Sequence, residues 1–282
     1  MAREAPRTLH SLSASYQRHI GADDFEVIVV DNGSIPPFDL KDLDGLTGNF
    51  RLIHMDPAHP SPARAVNRGL AEARGNIIGA MIDGARMVSP GLLANALAAS
   101  RLHARPMIGT LAFHLGQAVQ MKSVKHGYDQ AVEDELLAQS GWEDDGYRLF
   151  SISTFAGSSA GGWFELPAES NALFLRAEHW RALKGYDERF VTPGGGLVNL
   201  DVWSRVCGDP EGELIMLLGE ATFHQVHGGI ATNNPNPTFD LFHDEYVRIR
   251  GGPYTRSTRR PLYFGSLPDT VKFSLKLSVA SM

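Results

Sequence analysis

Two aspartates stand directly after apolar stretches of the sequence. Asp31 follows residues 25–30, and Asp83 follows residues 77–82. Short apolar stretches predict buried strands, and α/β proteins bind ligands outside the carboxyl ends of such strands. We therefore expect both carboxylates to face one shared ligand cleft. The alternative for Asp31 is a structural role, in which its side chain caps the turn formed by the polar residues that follow it.

Strand and helix patterns alternate in the N-terminal part of the chain and would position these aspartates. The alternation predicts an α/β fold with a doubly wound, mainly parallel central sheet, right-handed crossovers and flanking helices. The strand patterns cover residues 25–30, 50–54 and 77–82, and the helix patterns cover residues 5–19, 61–73 and 92–102.

The second half of the sequence is less regular. Residues 117–162 show little periodicity, which is typical of long connections that bind substrates. Residues 171–183 predict a helix, and the glycines at 194–196 predict a flexible loop before a further helix that carries Asp201.

The composition limits the class of protein. The chain has 282 residues, a mass of 30.8 kDa and a formal net charge of -6. The sequence is 43% hydrophobic and 21% charged, so disordered, fibrous and repeat proteins are poor candidates, and the negative charge disfavours nucleic acid as a partner. The single cysteine, Cys207, has no partner for an intrachain disulfide. We expect a cytoplasmic protein, because the sequence shows neither a secretion signal nor a membrane-spanning apolar run.

Four short motifs follow one another along the chain, at residues 31–34, 65–76, 81–86 and 183–190. In this order and spacing, over about residues 1–230, the sequence resembles the family 2 glycosyltransferases of the GT-A fold. The resemblance implies inverting transfer of a sugar from a nucleotide diphosphate sugar to a hydroxyl acceptor, in glycan or polysaccharide biosynthesis. A nicotinamide-dependent oxidoreductase would need a G-x-G-x-x-G motif after the first strand, and the sequence has none there.

The resemblance also implies a division of the chain. Residues 1–110 would form the nucleotide-sugar-binding half, residues 111–235 the acceptor-binding half of the same domain, and residues 236–282 a C-terminal extension without a predicted role. The implied acceptor is a glycan, a lipid-linked molecule or a small molecule, and peripheral membrane association stays open.

Relatives begin with an apolar strand that precedes the first helix, and this sequence shows no such strand. We expect the natural start to lie further upstream, with true shortening as the alternative. The missing N-terminal strand would leave unpaired edges on its neighbours in the sheet.

Donor contacts follow from the same resemblance. It assigns Asp31 to the nucleobase and places Arg64 and Asn67 beside the base and the ribose. Guanidinium and amide groups can hydrogen-bond the carbonyls of uracil or thymine. Alternatively, Arg64 is a solvated helix residue and Asn67 fixes the loop before it.

The metal motif of the family, Asp-x-Asp, aligns with residues 83–85, so its second carboxylate is missing. Asp83 could bind the ribose or a hard cation such as Mn²⁺ or Mg²⁺, and Arg86 could supply positive charge to the diphosphate. His224 and His227 stand where several relatives use a late histidine as a metal or phosphate ligand, with two glycines after them. The alternative is one core histidine and one surface histidine.

The general base of the family has an unusual counterpart here. Asn199 occupies its position, and an amide cannot accept the proton in the same way. Asp201 is the first candidate to replace it and Glu169 the second, although Asp201 could simply cap its helix. Because Ala85 and Asn199 stand at two catalytic positions, the alternative function is a catalytically impaired GT-A-like nucleotide-sugar-binding or scaffold protein.

Aromatic residues offer one further surface. Trp163 and Phe164 could stack against the sugar ring of an acceptor. Trp203 is expected to pack in the core.

Overall fold

The computed structural model describes residues 3–227 and 239–271. Its α-helices are α1 (Glu4–Ser11), α2 (Ala63–Glu72), α3 (Leu92–Ala99), α4 (Gln120–Ser123), α5 (Gln130–Ser140), α6 (Ala177–Leu183), α7 (Val198–Cys207) and α8 (Phe239–Arg250). Its strands are β1 (Glu26–Asp31), β2 (Asn49–His54), β3 (Ile77–Ala80), β4 (Arg86–Val88), β5 (Pro106–Leu115), β6 (Ser153–Phe155), β7 (Leu173–Arg176), β8 (Glu213–His224) and β9 (Leu262–Gly265). None of these helices has both the length and the apolar character needed to cross a bilayer.

The central sheet has the strand order β3-β7-β5-β8-β4, with β6 paired to β5 and β9 paired to β8. The predicted α/β class, with a central sheet and flanking helices, is confirmed. The sheet is mixed rather than mainly parallel: β5 runs parallel to β8 and β8 to β9, and the remaining pairs are antiparallel. The strand alternation that predicted parallel pairing covers only the N-terminal part of the chain.

Strand β7 accounts for much of this difference. Residues 171–183 were predicted to be one helix, but residues 173–176 form β7 and the helix α6 begins at Ala177. Leu173, Phe174 and Leu175 are all buried. A short apolar run buried on both faces fits a strand and a helix equally well, so periodicity could not separate the two. The strand lies between β3 and β5, antiparallel to both.

Strands β1 and β2 form a separate parallel sheet of two strands. The helix α2 packs on β1, and the absence of a side chain at Gly69 lets the helix approach Val30 closely. In residues 3–227 and 239–271, β1 pairs only with β2, and β3 is an edge of the central sheet. Within these residues, one edge of each strand is therefore unpaired.

An aromatic cluster packs under the ends of β5 and β8. The ring of Phe113 lies 5.1 Å from Phe150, 5.7 Å from Phe223 and 5.9 Å from Trp163, measured between centroids. Trp163 and Trp203 are each 1% exposed. Trp163 therefore belongs to the core and cannot serve as an acceptor platform, whereas the core position expected for Trp203 is confirmed. Phe113 and Phe223 of this cluster directly precede His114 in β5 and His224 in β8, so their packing fixes the strands next to both histidines.

Candidate functional site

Three basic side chains form a row across neighbouring strands at one end of the central sheet. His224 of β8 stands directly opposite His114 of β5 and Arg86 of β4. Residues directly opposite one another in paired strands point to the same face, and the rings of His114 and His224 are 5.5 Å apart. The backbone pairing of the strands therefore sets the spacing of the row.

Asp83 reaches this row from the loop between β3 and β4. Its Oδ2 lies 3.0 Å from Nε2 of His224, 3.6 Å from Nε2 of His227 and 3.8 Å from Nε of Arg86. Its Oδ1 accepts a hydrogen bond from the backbone N–H of Ala85 at 3.0 Å, which directs the other oxygen to the histidines. Burial acts to raise the pKa of Asp83, but the histidines and Arg86 hold it well below its usual range.

Gln120 determines which nitrogen of His224 carries a proton. Its Nε2 donates to the carbonyl oxygen of His224 at 2.8 Å, and its Oε1 lies 2.6 Å from Nδ1 of the ring. Because an amide oxygen only accepts, Nδ1 carries the hydrogen and the lone pair of the neutral ring is on Nε2. Burial lowers the pKa of His224 to about 4, so the ring is neutral near neutral pH.

Acceptor atoms consequently face one another inside the site. The Nε2 lone pair of His224 points at the Asp83 carboxylate, and Nε2 of His227 is 3.2 Å from that of His224. Facing acceptors repel each other unless a proton or a cation lies between them. The three ligand atoms lie within 4.8 Å of one another. One carboxylate and two imidazoles, one of them oriented by an amide oxygen, fit a divalent metal ion.

Arg86 adds a buried positive charge to the same place. The residue is 8% exposed, and its Nε and Nη1 have no hydrogen-bond partner in the part of the chain that the structure describes. Its 3.8 Å separation from Asp83 Oδ2 is too long for a hydrogen bond. A buried guanidinium group with unsatisfied donors is unfavourable, and an anionic ligand would satisfy those donors.

The peptide between the two histidines is held by residues that sequence reasoning did not identify. Both carboxylate oxygens of Glu133, in α5, accept from the backbone N–H of Val226 at 3.1 and 2.9 Å. Arg3 donates to the carbonyl oxygen of Val226 at 3.1 Å and to Glu133 at 3.3 Å. Burial raises the pKa of Glu133 to about 7. The beginning of α1 and the helix α5 thus fix the segment that carries His227.

Asp31 organises the turn after β1. Its Oδ1 accepts from the backbone N–H of Ser34 at 2.9 Å, and its Oδ2 accepts from that of Phe38 at 3.0 Å. Burial acts to raise the pKa of Asp31, but these hydrogen bonds and the nearby His54 lower it. The turn-capping role accounts for these contacts. Within the described ranges, no hydrogen bond or ion pair connects Asp31 with Asp83.

Arg64 and Asn67 face the loop after α6. Asn67 accepts from the backbone N–H of Tyr186 at 2.8 Å and donates to its carbonyl oxygen and to Glu188 at 2.9 Å. Asn67 therefore fixes the loop around Tyr186, whereas the sequence suggested that it would fix the loop before its own helix. Arg64 is half exposed, with Nη1 2.9 Å from Nε2 of His59 and Nε 3.4 Å from Glu188. Its guanidinium group stays accessible to a ligand.

Two arginines surround the carboxylate of Asp201, the first candidate for the general base. It is 1% exposed, and both carboxylate oxygens accept hydrogen bonds from Arg250. Arg205 donates to Oδ2 as well, at 2.9 Å. The pairs with Arg250 join α7 to α8, and the contacts of both arginines favour a structural role for Asp201. The catalytic role of Asp201 stays a prediction that these contacts do not support.

Glu169, the second candidate for the general base, is less deeply buried than Asp201. It is half-buried, and its Oε2 accepts a hydrogen bond from Nδ2 of Asn199 at 2.7 Å. The hydroxyl of Tyr186 lies 3.4 Å from Oδ1 of Asn199. The amide at the family's base position thus orients a neighbouring carboxylate.

Sequence reasoning missed His114, Gln120 and Glu133. His114 comes at the end of an apolar run, the same signal that marked Asp31, and could have been found. Gln120 and Glu133 lie in the irregular stretch 117–162, where no pattern marks them. The two glycines expected to help after His227 lie outside the described residues.

Residues 2–99 match the family model described as glycosyl transferase family 2. They include Asp31, Arg64, Asn67, Asp83 and Arg86. No curated protein matches the chain.

Several solved structures are similar to the chain. S. aureus TarS is 12% identical, with 80% of this chain and 35% of that chain covered and a TM-score of 0.50. S. aureus TarS 1-349 in complex with UDP is 13% identical over 80% of this chain and 57% of that chain, with a TM-score of 0.48. The mannosyltransferase PcManGT from Pyrobaculum calidifontis, in complex with GDP-Man and Mn²⁺, is 16% identical over 97% and 65% of the two chains, with a TM-score of 0.45.

These likenesses concern the fold. The chain spans from about a third to about two thirds of the length of the structures it matches. The resemblance expected from the four motifs is confirmed by the match over residues 2–99. Residues 2–99 are therefore similar to glycosyl transferase family 2, and the fold of the chain is similar to that of TarS.

Proposed function

We propose that the chain transfers a sugar from a nucleotide diphosphate sugar to a hydroxyl acceptor, with inversion at the anomeric carbon, in the cytoplasmic assembly of a glycan. The observation that carries this proposal is the buried guanidinium group of Arg86, whose Nε and Nη1 have no partner among the described residues. The diphosphate of a donor would accept hydrogen bonds from these nitrogens. No apolar or neutral ligand would compensate the buried charge as well.

The chain's residues have separate tasks at the donor. Asp83, His224 and His227 would hold a divalent ion such as Mn²⁺ or Mg²⁺, which when bound neutralises charge on the departing diphosphate. Arg86 would donate to the diphosphate oxygens and stabilise the negative charge that develops on them. Arg64, exposed at the start of α2, would contact the nucleoside.

Asp31 and Asn67 are proposed to shape the nucleoside end of this site. Asp31 does so through the turn that its carboxylate holds, and Asn67 through the loop of Tyr186 that its amide holds. In this proposal residues 1–110 form the nucleoside end of the donor site, and residues 111–235 supply Glu169 for the acceptor and the two histidines for the metal ion.

The transfer step requires a base for the acceptor. The hydroxyl oxygen of the acceptor forms a bond to the anomeric carbon, while the bond from that carbon to the diphosphate oxygen breaks. The nucleotide diphosphate leaves with the bonding electron pair, and the hydroxyl proton passes to a carboxylate. We assign this carboxylate to Glu169, because it is half-buried and its Oε2 is oriented by Asn199 at 2.7 Å.

Titration calorimetry tests the donor site. We expect one of the UDP, GDP or TDP sugars to bind, more tightly with Mn²⁺ than without it. Arg86→Met should weaken binding at least tenfold, about 1.4 kcal/mol, and the matched control Arg101→Met, at an exposed arginine, should bind normally. Absence of binding by all three classes of nucleotide would refute the proposal.

A second candidate function is nucleotide-sugar binding without transfer. Two observations favour it. Asn199 stands at the position of the base, and the carboxylate of Asp201 accepts hydrogen bonds from Arg205 and Arg250. The two candidates differ in turnover. Transfer predicts release of nucleotide diphosphate that Glu169→Gln abolishes, whereas binding alone predicts no release by either protein.

A further inference from the structure

A groove of about 510 Å³ lies beside β9, in the C-terminal part of the chain to which the sequence assigned no role. Residues 256–263 form one wall, and residues 164–166 form the other. The side chains that matter for its chemistry are Phe164, Leu166, Arg256, Arg259, Arg260 and Tyr263.

The groove carries more positive than negative charge. Three arginines line it, and Glu165 is the acidic residue among its lining side chains. Arg256 lies 3.1 Å from Glu165. The guanidinium group of Arg259 donates to the backbone carbonyl oxygens of Cys207, Asp209 and Gly212, and no carboxylate in the described part of the chain pairs with it. Arg260 is exposed and has no ion pair in residues 3–227 and 239–271. An anionic ligand would complement this excess, although the whole chain has a net charge of -6.

Aromatic rings stand beside these cations. Phe164 and Tyr263 are each 38% exposed, and their ring centroids are 5.7 Å apart at an interplanar angle of 76°. The hydroxyl of Tyr263 donates to the carbonyl oxygen of Phe164 at 2.7 Å, which fixes one wall of the groove against the other. A fixed, exposed aromatic pair offers apolar surface to a ligand that also carries polar groups, such as the ring of a sugar.

We propose that this groove binds an anionic glycan. The sugar rings lie against Phe164 and Tyr263, and carboxylate or phosphate groups on the sugars pair with Arg256 and Arg260. This inference rests on the proposed function, because it identifies the acceptor of the proposed sugar transfer as an acidic polymer.

The position of the groove requires a polymeric ligand. Tyr263 pairs with Met216 of β8, whereas the candidate metal ligand His224 ends the same strand. The intervening extended chain spans roughly 25 Å at about 3.3 Å for each residue. A ligand that occupied the groove and reached the transfer site would therefore need several sugar units.

Calorimetry with defined glycans tests this proposal on the full chain without nucleotide. The probes are an oligogalacturonide, which carries a carboxylate on each sugar, and a neutral maltooligosaccharide of equal length. We expect the acidic probe to bind at least tenfold more tightly than the neutral one. The double variant Arg256→Gln/Arg260→Gln should lose at least tenfold in affinity for the acidic probe. The control Arg101→Gln/Arg248→Gln removes the same charge at two exposed arginines elsewhere and should bind normally.

Arg260→Gln alone guards against a folding artefact, because Arg260 has no hydrogen bond or ion pair in the described chain. It should lower the affinity severalfold with an unchanged melting temperature. Equal affinity for both glycans, equal losses in both double variants, or equally tight binding of a single-stranded polynucleotide would each overturn the proposal. Nucleotide binding by the double variant should stay normal, so that a failure of the donor site and a failure of the groove can be distinguished.

Discussion

The surroundings of Asp83 and Asp201 differ although both aspartates lie close to arginines. Arg250 and Arg205 satisfy both oxygens of Asp201, which is 1% exposed. Beside Asp83, Arg86 stays 3.8 Å away, its Nε and Nη1 have no hydrogen-bond partner among residues 3–227 and 239–271, and the lone pair of His224 faces the carboxylate. The first group of charges is satisfied by residues of the chain and suits a structural role. The second has incomplete hydrogen bonds among the described residues, as a ligand-binding group would before its ligand binds.

The largest effect on stability is expected for Asp201→Asn. Loss of the carboxylate removes the anionic partner of Arg205 and one of the two carboxylates that pair with Arg250, the other being Asp187. The free energy of unfolding should therefore fall by about 3–5 kcal/mol. Urea denaturation followed by circular dichroism measures this change. The control Asp23→Asn removes the same charge at an exposed site and should change the free energy by less than about 0.5 kcal/mol. A loss as small as that of the control would contradict the structural role.

Asp83→Asn should act on ligand binding. An amide is a much weaker ligand than a carboxylate for a hard cation, so we expect the affinity for Mn²⁺ to fall at least tenfold, about 1.4 kcal/mol. Titration of Mn²⁺ into wild type and variant provides the measurement, and Asp23→Asn is again the control. Equal Mn²⁺ affinities in wild type and Asp83→Asn would remove Asp83 from the metal site.

The surroundings of Glu133 are intermediate between those of Asp83 and Asp201. Its buried carboxylate accepts hydrogen bonds from one arginine, Arg3, and from the backbone N–H of Val226. Burial raises its pKa from 4.5 to about 7. The folded chain therefore binds this proton more tightly than the unfolded chain does, and the contribution of Glu133 to stability falls as the pH rises from about 4.5 to about 7.

Glu133→Gln should lack this fall in stability. Urea midpoints at about pH 5 and about pH 7 compare the two proteins. The exposed Glu135→Gln serves as the control and should keep the pH dependence of the wild type. The same dependence in Glu133→Gln would show that another group is responsible.

The smallest stability change is expected for Arg86→Met. The apolar replacement removes a buried cation with unsatisfied donors, so the free energy of unfolding should change by less than about 1 kcal/mol. Arg250→Met is the matched variant in the other region and should lose about 3–5 kcal/mol, because it leaves Asp201 short of its main partner. Similar losses in both variants, measured by urea denaturation, would end the distinction between the two regions.

Much of the N-terminal half could be predicted from the sequence. The apolar runs before Asp31 and Asp83 form β1 and β3, and α2 lies within the predicted range 61–73. Strand β7 could not be predicted, because a short run buried on both faces has no distinctive period. The directions of the strands were also beyond reach, since pairing depends on chain segments far apart in sequence.

The candidate site was predictable only in part. The motifs pointed to Asp83, Arg86, His224 and His227, which the structure brings together. The contact of Gln120 with His224 joins residues 104 positions apart in sequence, and nothing local reveals it. The role of Asp201 likewise depends on Arg250, which lies 49 positions further on. Both contacts depend on partners far away in the sequence, which local patterns do not show.

The opposition of Arg86, His224 and His114 on three adjacent strands has a consequence for variation in the protein. Side chains alternate between the two faces of a strand, so a slip of β4 by one residue would turn Arg86 away from the histidines. An insertion or deletion within β4 should therefore disrupt this row of side chains even with every one of its residues retained. Changes in the length of exposed loops elsewhere should leave it intact.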